Sequence, residues 1–262
     1  FHDAGSKTFL DRTGNFNGDD ILNILLEQPQ TATFITKKIY KYFVNEEVDE
    51  AKLQWLSKRF YNNSYDITKL LEDIFTSDWF YTEKNIGNKI KSPVELIVGI
   101  RRFLPLELDN DQSQLLFQKV LGQILFYPPN VAGWPGGRTW IDSSTLMVRL
   151  QIPQVLAAKE SLTIKAKNDD DVNMGQMMET QQRIAKNKIY TSKGASANID
   201  WALVIDIYTK TKRENLAKQI ADTLLQSQSR IDIEVLNKYL AADSRENFIK
   251  SAIIQLMTTP EY

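Results

Sequence analysis

Apolar side chains recur every three or four residues through most of this chain, and no stretch keeps strict apolar/polar alternation for long between turn signals. That period belongs to helices. The expected fold class is therefore all-α: an irregular multi-helix bundle with one long Pro/Gly/Trp-rich loop and a smaller C-terminal helical group. After a loop from Gly5 to Gly18, Asp19 or Asp20 is placed to cap a helix through Ile21, Leu22, Leu25 and Leu26, and Pro29 suits the first turn of the next. That second helix carries Phe34, Ile35, Ile39, Tyr42 and Phe43 as its apolar stripe, beside Lys37, Lys38 and Lys41. A third runs over about 49–61, and Asp66 caps a fourth with Ile67, Leu70, Leu71, Ile74 and Phe75.

Ser92-Pro93-Val94-Glu95 reads as a helix start in its own right. Ser92 can accept from the backbone at Glu95, Pro93 lacks an amide proton that would be orphaned there, and Glu95 can reach back. This helix is expected to run to about Leu104, followed by others over 111–125, 143–159, 201–208, 214–225, 233–240 and 244–257.

Two stretches break the pattern. Residues 126–140 hold three prolines and three glycines among tyrosine and tryptophan, which rules out a helix. From 161 to 199 the chain turns to Lys, Asn, Asp, Gln, Met and Ser, too poor in large apolar residues to offset the entropy of ordering. The expected organisation is a main helical domain over 1–160, a polar flexible insertion or linker over 161–199, and C-terminal helices over 200–262 packing on the main domain.

Composition changes this picture mainly by exclusion. With 32 basic and 33 acidic residues the net charge is −1, so there is no whole-chain field to hold nucleic acid, and none is expected as a partner. No apolar run approaches the ~18 residues of a membrane span. The chain has no cysteine and a single histidine, His2, which removes thiolate chemistry and leaves no His-His metal pair. No cofactor and no metal are expected. The opening Phe1-His2-Asp3 has no initiator methionine and no signal-peptide pattern, so the chain reads as a piece of a longer protein.

Four motifs in order carry a resemblance: His2-Asp3-x-Gly-x-Lys7-Thr8-Phe9-Leu10; Gly14-Asn15-Phe16-x-Gly18-Asp19-Asp20; Lys91-Ser92-Pro93-Val94-Glu95-Leu96; and Pro128-Pro129-Asn130-Val131-x-Gly133-Trp134-Pro135-Gly136-Gly137. Together they resemble the C-terminal part of the bacterial family called domain of unknown function 1800. The closing Met257-Thr258-Thr259-Pro260-Glu261-Tyr262 is similar to that family's terminus. The resemblance brings no established activity. It implies an exported protein, periplasmic or secreted, often encoded beside proteins of the domain of unknown function 1501 type, which resemble sulfatases and alkaline phosphatases.

The candidate functional surface is the 127–140 loop, with Asn130, Trp134, Arg138 and Trp140 as its ligand-binding residues. Glycines permit close approach and prolines lower the entropy of holding one shape. Indoles and a guanidinium can stack on a ring or hold an anionic group. The alternative is that the tryptophans plug the core and Arg138 tethers the loop. His2 and Asp3 are further candidates, as a base and its orienting acid or as a brace for their own turn. The oxygen-rich run from Asp11 to Asp20 fails as a calcium loop: with Gly18 sixth, the twelfth position is Ile24 where a bidentate glutamate is needed. The expected function is a helical binding or scaffolding module for a glycan or partner protein, including a neighbouring 1501-type protein. The runner-up is a hydrolase of a polar polymer or ester, with its site shared with a preceding segment.

Overall fold

The computed structural model describes residues 3–158, 197–226 and 231–262, which fall into two compact units meeting in sequence at Lys89 and Ile90. The division lies inside the 1–160 span that the pattern treats as one domain. Each unit has its own apolar core.

The first unit opens with a short hairpin, β1 (Lys7–Phe9) and β2 (Arg12–Gly14), paired antiparallel with Lys7 opposite Gly14 and Phe9 opposite Arg12. Leu10 and Asp11 form its turn at φ of 46° and 61°, the left-handed pair that a two-residue hairpin requires. Three residues per strand are too few to show as alternation. Helix α1 (Gly18–Leu26) is capped by Asn17, which accepts from Asp20 N–H while the Asp20 carboxylate accepts from Asn17 N–H. The cap thus lies two residues ahead of the expected Asp19, and Asp20 is its reciprocal partner.

Helix α2 (Pro29–Phe43) starts on its proline, as expected, but its buried stripe is Ala32, Thr36 and Tyr40. Phe34, Tyr42 and Phe43 lie outside, and Ile35 and Ile39 flank the seam. The expected stripe followed the bulkiest residues, whereas the buried seam of α2, which shares a core with Leu56 and Phe60 of α3 (Glu50–Asn62), includes the small Ala32. Asp49 caps α3 and Asp66 caps α4 (Ile67–Phe75), whose Leu70 and Ile74 complete the core with Leu56 and Phe60. Edge-to-face rings close the unit: Phe43 on Phe75, Phe75 on Phe80, and Phe60 on Tyr65.

In the second unit α5 (Pro93–Phe103) begins with the expected capping box of Ser92 and Glu95. Strand β3 (Leu106–Leu108) follows, then α6 (Gln112–Val120) and α7 (Ser143–Ala158). Helix α6 stops short of the expected Leu125 because the chain turns at Gly122, φ 85°, a conformation that excludes an L side chain without strain. Strand β4 (Ala197–Ile199) pairs antiparallel with β3, Leu106 opposite Ile199. These three residues close the span read as a linker; the rest of it, 161–196, lies outside the described residues. Helices α8 (Trp201–Ile207), α9 (Leu216–Leu224), α10 (Ile233–Asn237) and α11 (Arg245–Met257) share one core with α5, α6 and α7, built on Ile100, Leu104, Ile152, Leu216, Ile220, Ile249 and Ile253. With only two small two-stranded sheets among the described residues, the fold is all-α in class.

Candidate functional site

The Pro/Gly/Trp-rich segment is an irregular loop fixed at both ends by the second unit. At its entry the Gln118 side chain accepts from Leu125 N–H at 2.9 Å, and the Gln123 side chain accepts from Val94 N–H at 3.0 Å, tying the loop to the first turn of α5. At its exit a single 3-10 turn, Gly137–Trp140, leads into α7. Asp142 accepts from Ser144 N–H and Thr145 N–H, and the Thr145 hydroxyl reaches back to the Trp140 carbonyl at 3.0 Å. These bonds satisfy amides that the start of α7 would otherwise leave open.

Within this frame the candidate residues have different parts. Trp140 is 8 % exposed and anchors the exit of the loop in the interior. Trp134 is half-buried. Arg138 is exposed, and its carbonyl accepts from Ile141 N–H. Asn130 is a turn-former: its side-chain oxygen accepts from Ala132 N–H at 2.8 Å and its carbonyl from Gly133 N–H at 3.0 Å. Gly133 takes φ 84° with open space around it, so the position needs glycine for its backbone and not for room. The two indoles and the guanidinium therefore do not form one exposed shelf, because one of the three is interior.

What the loop does present was absent from the candidate residues. Phe126 is 97 % exposed and held at φ 63°; Val131 is fully exposed; Leu125 and Tyr127 are exposed beside Phe126. A bulky residue in the left-handed region is uncommon and turns its side chain away from the path of a continuing helix. A signal existed in the sequence, an apolar Leu-Phe-Tyr run directly before two prolines, but it reads equally well as the end of a buried helix.

In the first unit, Asp3 is exposed, its carboxylate accepts from Gly5 N–H at 2.8 Å, and its carbonyl accepts from the Lys7 ammonium. Asp3 braces its own turn. His2 lies outside the described residues. Among the described residues no group of three or more His, Asp or Glu side chains is arranged to hold a metal ion.

A second group in the same unit as the loop went unnoticed at the level of pattern. Arg149 of α7 is 8 % exposed, and Nη1 donates to the Lys91 carbonyl at 2.9 Å. Lys91 precedes the cap of α5; its ammonium donates to the Tyr262 carbonyl and stands 3.5 Å from the centroid of the Tyr262 ring. Burial lowers the pKa of both cations and pushes the Tyr262 phenol up to about 12. Glu95 nearby acts against the shift at Lys91.

These features define an all-α protein whose helical body holds a preformed irregular loop with apolar residues at its surface. The chain belongs to the family described as Protein of unknown function (DUF1800), whose model matches residues 1–262, the whole chain. Comparisons with curated proteins and with solved structures find no match.

Proposed function

We propose that this chain is a binding or scaffolding module that engages a partner protein through the 125–138 loop, in the periplasm or outside the cell. The observation that carries the reading is Phe126, 97 % exposed on a backbone held in the left-handed region, with Val131 equally bare on the same loop. Contiguous apolar side chains at the surface favour a partner that removes them from water, at ~25 cal/mol per Å² covered. The loop's shape is set by its own turns and by Gln118, Gln123 and Asp142, so little ordering entropy opposes binding. Arg138 supplies an exposed cation at the rim.

A protein partner fits better than a glycan because the exposed surface of the loop mixes the rings of Phe126 and Tyr127 with the aliphatic Leu125 and Val131, while the Trp140 indole is interior. The export setting rests on the family resemblance. So does the choice of a 1501-type neighbour as the first partner to test. The hydrolase reading draws on His2, Asp3 and Arg138, and nothing in the geometry of Asp3 favours it.

The test is a binding titration of a neighbour-encoded 1501-type protein against the wild type and the Phe126→Ser/Val131→Ser double variant. Two exposed apolar anchors lost together should weaken binding roughly 30-fold or more while leaving the melting temperature in place. Equal binding by both proteins would end the proposal. Binding of a glycan array, abolished by Trp134→Ala and untouched by the double variant, would replace it with the sugar reading.

A further inference from the structure

Helix α2 turns a second amphipathic stripe outward. Phe34, Lys37, Lys38, Lys41 and Tyr42 fall at positions i, i+3, i+4, i+7 and i+8, the spacing of one helix face, and all five are exposed. The core side of the same helix is Ala32, Thr36 and Tyr40. Phe34 is 58 % and Tyr42 63 % exposed. The two rings thus stand in water ~12 Å apart along the axis, at a rise of ~1.5 Å per residue. An ammonium lies over each, Lys38 over Phe34 and Lys89 over Tyr42. The helix has no acidic residue, and Lys37, Lys38 and Lys41 enter no ion pair among the described residues. Glu46 and Glu47 come only after the helix has ended at Phe43. From Tyr42 the rings continue edge to face through Phe43, Phe75 and Phe80 to Tyr81, itself exposed.

The complement of a row of cations set among exposed rings is a surface that is flat, negative, and apolar just beneath its charge. We propose that the outward face of α2 docks the first unit on an anionic lipid bilayer, the lysines meeting headgroup phosphates while Phe34 and Tyr42 enter the layer below. A single phosphate or carboxylate would need the ammoniums to converge, whereas Lys37 and Lys41 sit about one helical turn apart along the axis. A nucleic-acid strand would need open ring faces for its bases; Lys38 and Lys89 lie over those of Phe34 and Tyr42, and Phe43 meets Tyr42 at 4.7 Å in a T-shaped pair. An ammonium over a ring does not hinder entry into the interface, because the lysine stem covers apolar surface while its charge stays at headgroup level. The net charge of −1 over the whole chain does not oppose docking, since attraction to a charged surface falls off within a Debye length and the face that meets it decides. Docking of this kind needs no spanning helix, and none of the described helices is long and apolar enough to be one. The 125–138 loop takes no part, and neither proposal requires the other.

The experiment sediments the whole chain with vesicles of phosphatidylglycerol and phosphatidylcholine in equal parts, and with vesicles of phosphatidylcholine alone. Binding to the first, little to the second, and weakening as sodium chloride is raised are expected. Lys37→Gln/Lys41→Gln should bind roughly tenfold more weakly or worse, and Phe34→Ser/Tyr42→Ser should lose affinity with no change in charge. All four side chains are exposed, so melting temperatures should stay in place. The chain has no cysteine, so Phe34→Cys takes an environment-sensitive dye at one site, whose emission should rise and shift to shorter wavelength on the anionic vesicles. If a variant fails to fold, the wild type's preference between the two vesicle types and its salt dependence decide alone. Equal binding to both vesicle types, binding to neither, undiminished binding by the lysine variant, or a dye at position 34 that reports no change would overturn the proposal. So would vesicle binding lost in Phe126→Ser/Val131→Ser and kept in both α2 variants, which gives the bilayer to the loop. Retention of a single-stranded oligonucleotide or of polyglutamate without vesicle binding would also overturn it, giving the face to nucleic acid or to an acidic protein.

Discussion

The two units treat arginine and surface rings in opposite ways. In the first, Arg59 is exposed and forked onto Asp73, with Nε and Nη2 at 2.7 and 2.8 Å from its two oxygens, and that carboxylate raises the arginine's pKa. In the second, Arg149 is buried with the same two nitrogens unbonded, and burial lowers its pKa. The exposed rings divide similarly. Phe34 and Tyr42 of the first unit each lie under a lysine, Lys38 and Lys89, both 4.7 Å from the ring centroid, whereas Phe126 has no ring or cation on it among the described residues. In these two comparisons the first unit supplies local partners and the second does not, although Thr36 Oγ1 of the first unit is also buried without a hydrogen bond.

The largest expected effect breaks the loop from within. Trp140→Ala removes an indole that is 8 % exposed and should destabilise the second unit by about 3–5 kcal/mol, measured by chemical denaturation. Phe126→Ala on the same loop should change stability by no more than about 0.5 kcal/mol. Equal losses in the two variants would mean that anchor and presented residue are not distinct.

This contrast between Trp140 and Phe126 also marks how far the sequence could be read. Helices α2, α4, α5 and α11 announce themselves through Pro29, Asp66, the Ser92/Glu95 box and Ser244, because capping is local chemistry written within four residues. The two short sheets do not, since three residues per strand carry no visible period and β3 pairs with a strand nearly ninety positions away. The α2 stripe was misread because Ala32 and Thr36 give a weaker hydrophobic signal than Phe34 and Tyr42, and helix contact rewards fit over bulk. The loop's existence was legible from its prolines and glycines; which of its side chains face inward was not. Arg149 sits in an ordinary helical pattern, and only the fold brings the Lys91 carbonyl to it and Tyr262 to Lys91.

Next in size is an effect of pH. The Tyr262 phenol, raised from 10.0 to about 12 by burial, keeps its proton in the folded state at pH values where the unfolded chain has lost it. The folded state then binds more protons, so stability falls as pH rises from about 10 towards 12, by up to about 3 kcal/mol. Tyr262→Phe should remove that alkaline loss and leave stability below pH 9 little changed; parallel profiles for the two proteins would contradict the burial of the phenol.

Smaller still, Ser92→Ala removes one half of the α5 capping box and should lower stability by about 1 kcal/mol in urea unfolding. The least effect is expected at Arg59→Met, where the arginine side chain is 48 % exposed and solvent screens the fork from that side, the Asp73 side chain being 15 % exposed; its melting temperature should fall by less than that of Ser92→Ala. A larger fall at Arg59 would erase the contrast between a surface fork and a buried one.

The central claim, that this chain meets its partner through the loop, is tested most directly by site-specific photocrosslinking. A photoreactive phenylalanine analogue is placed in turn at Phe126 and Val131 of the loop and at Leu22 and Tyr42 of the first unit, all exposed, and each protein is irradiated with the proposed 1501-type partner. Adducts from positions 126 and 131 and none from 22 and 42 are predicted. Adducts from the first unit with a silent loop would contradict the account.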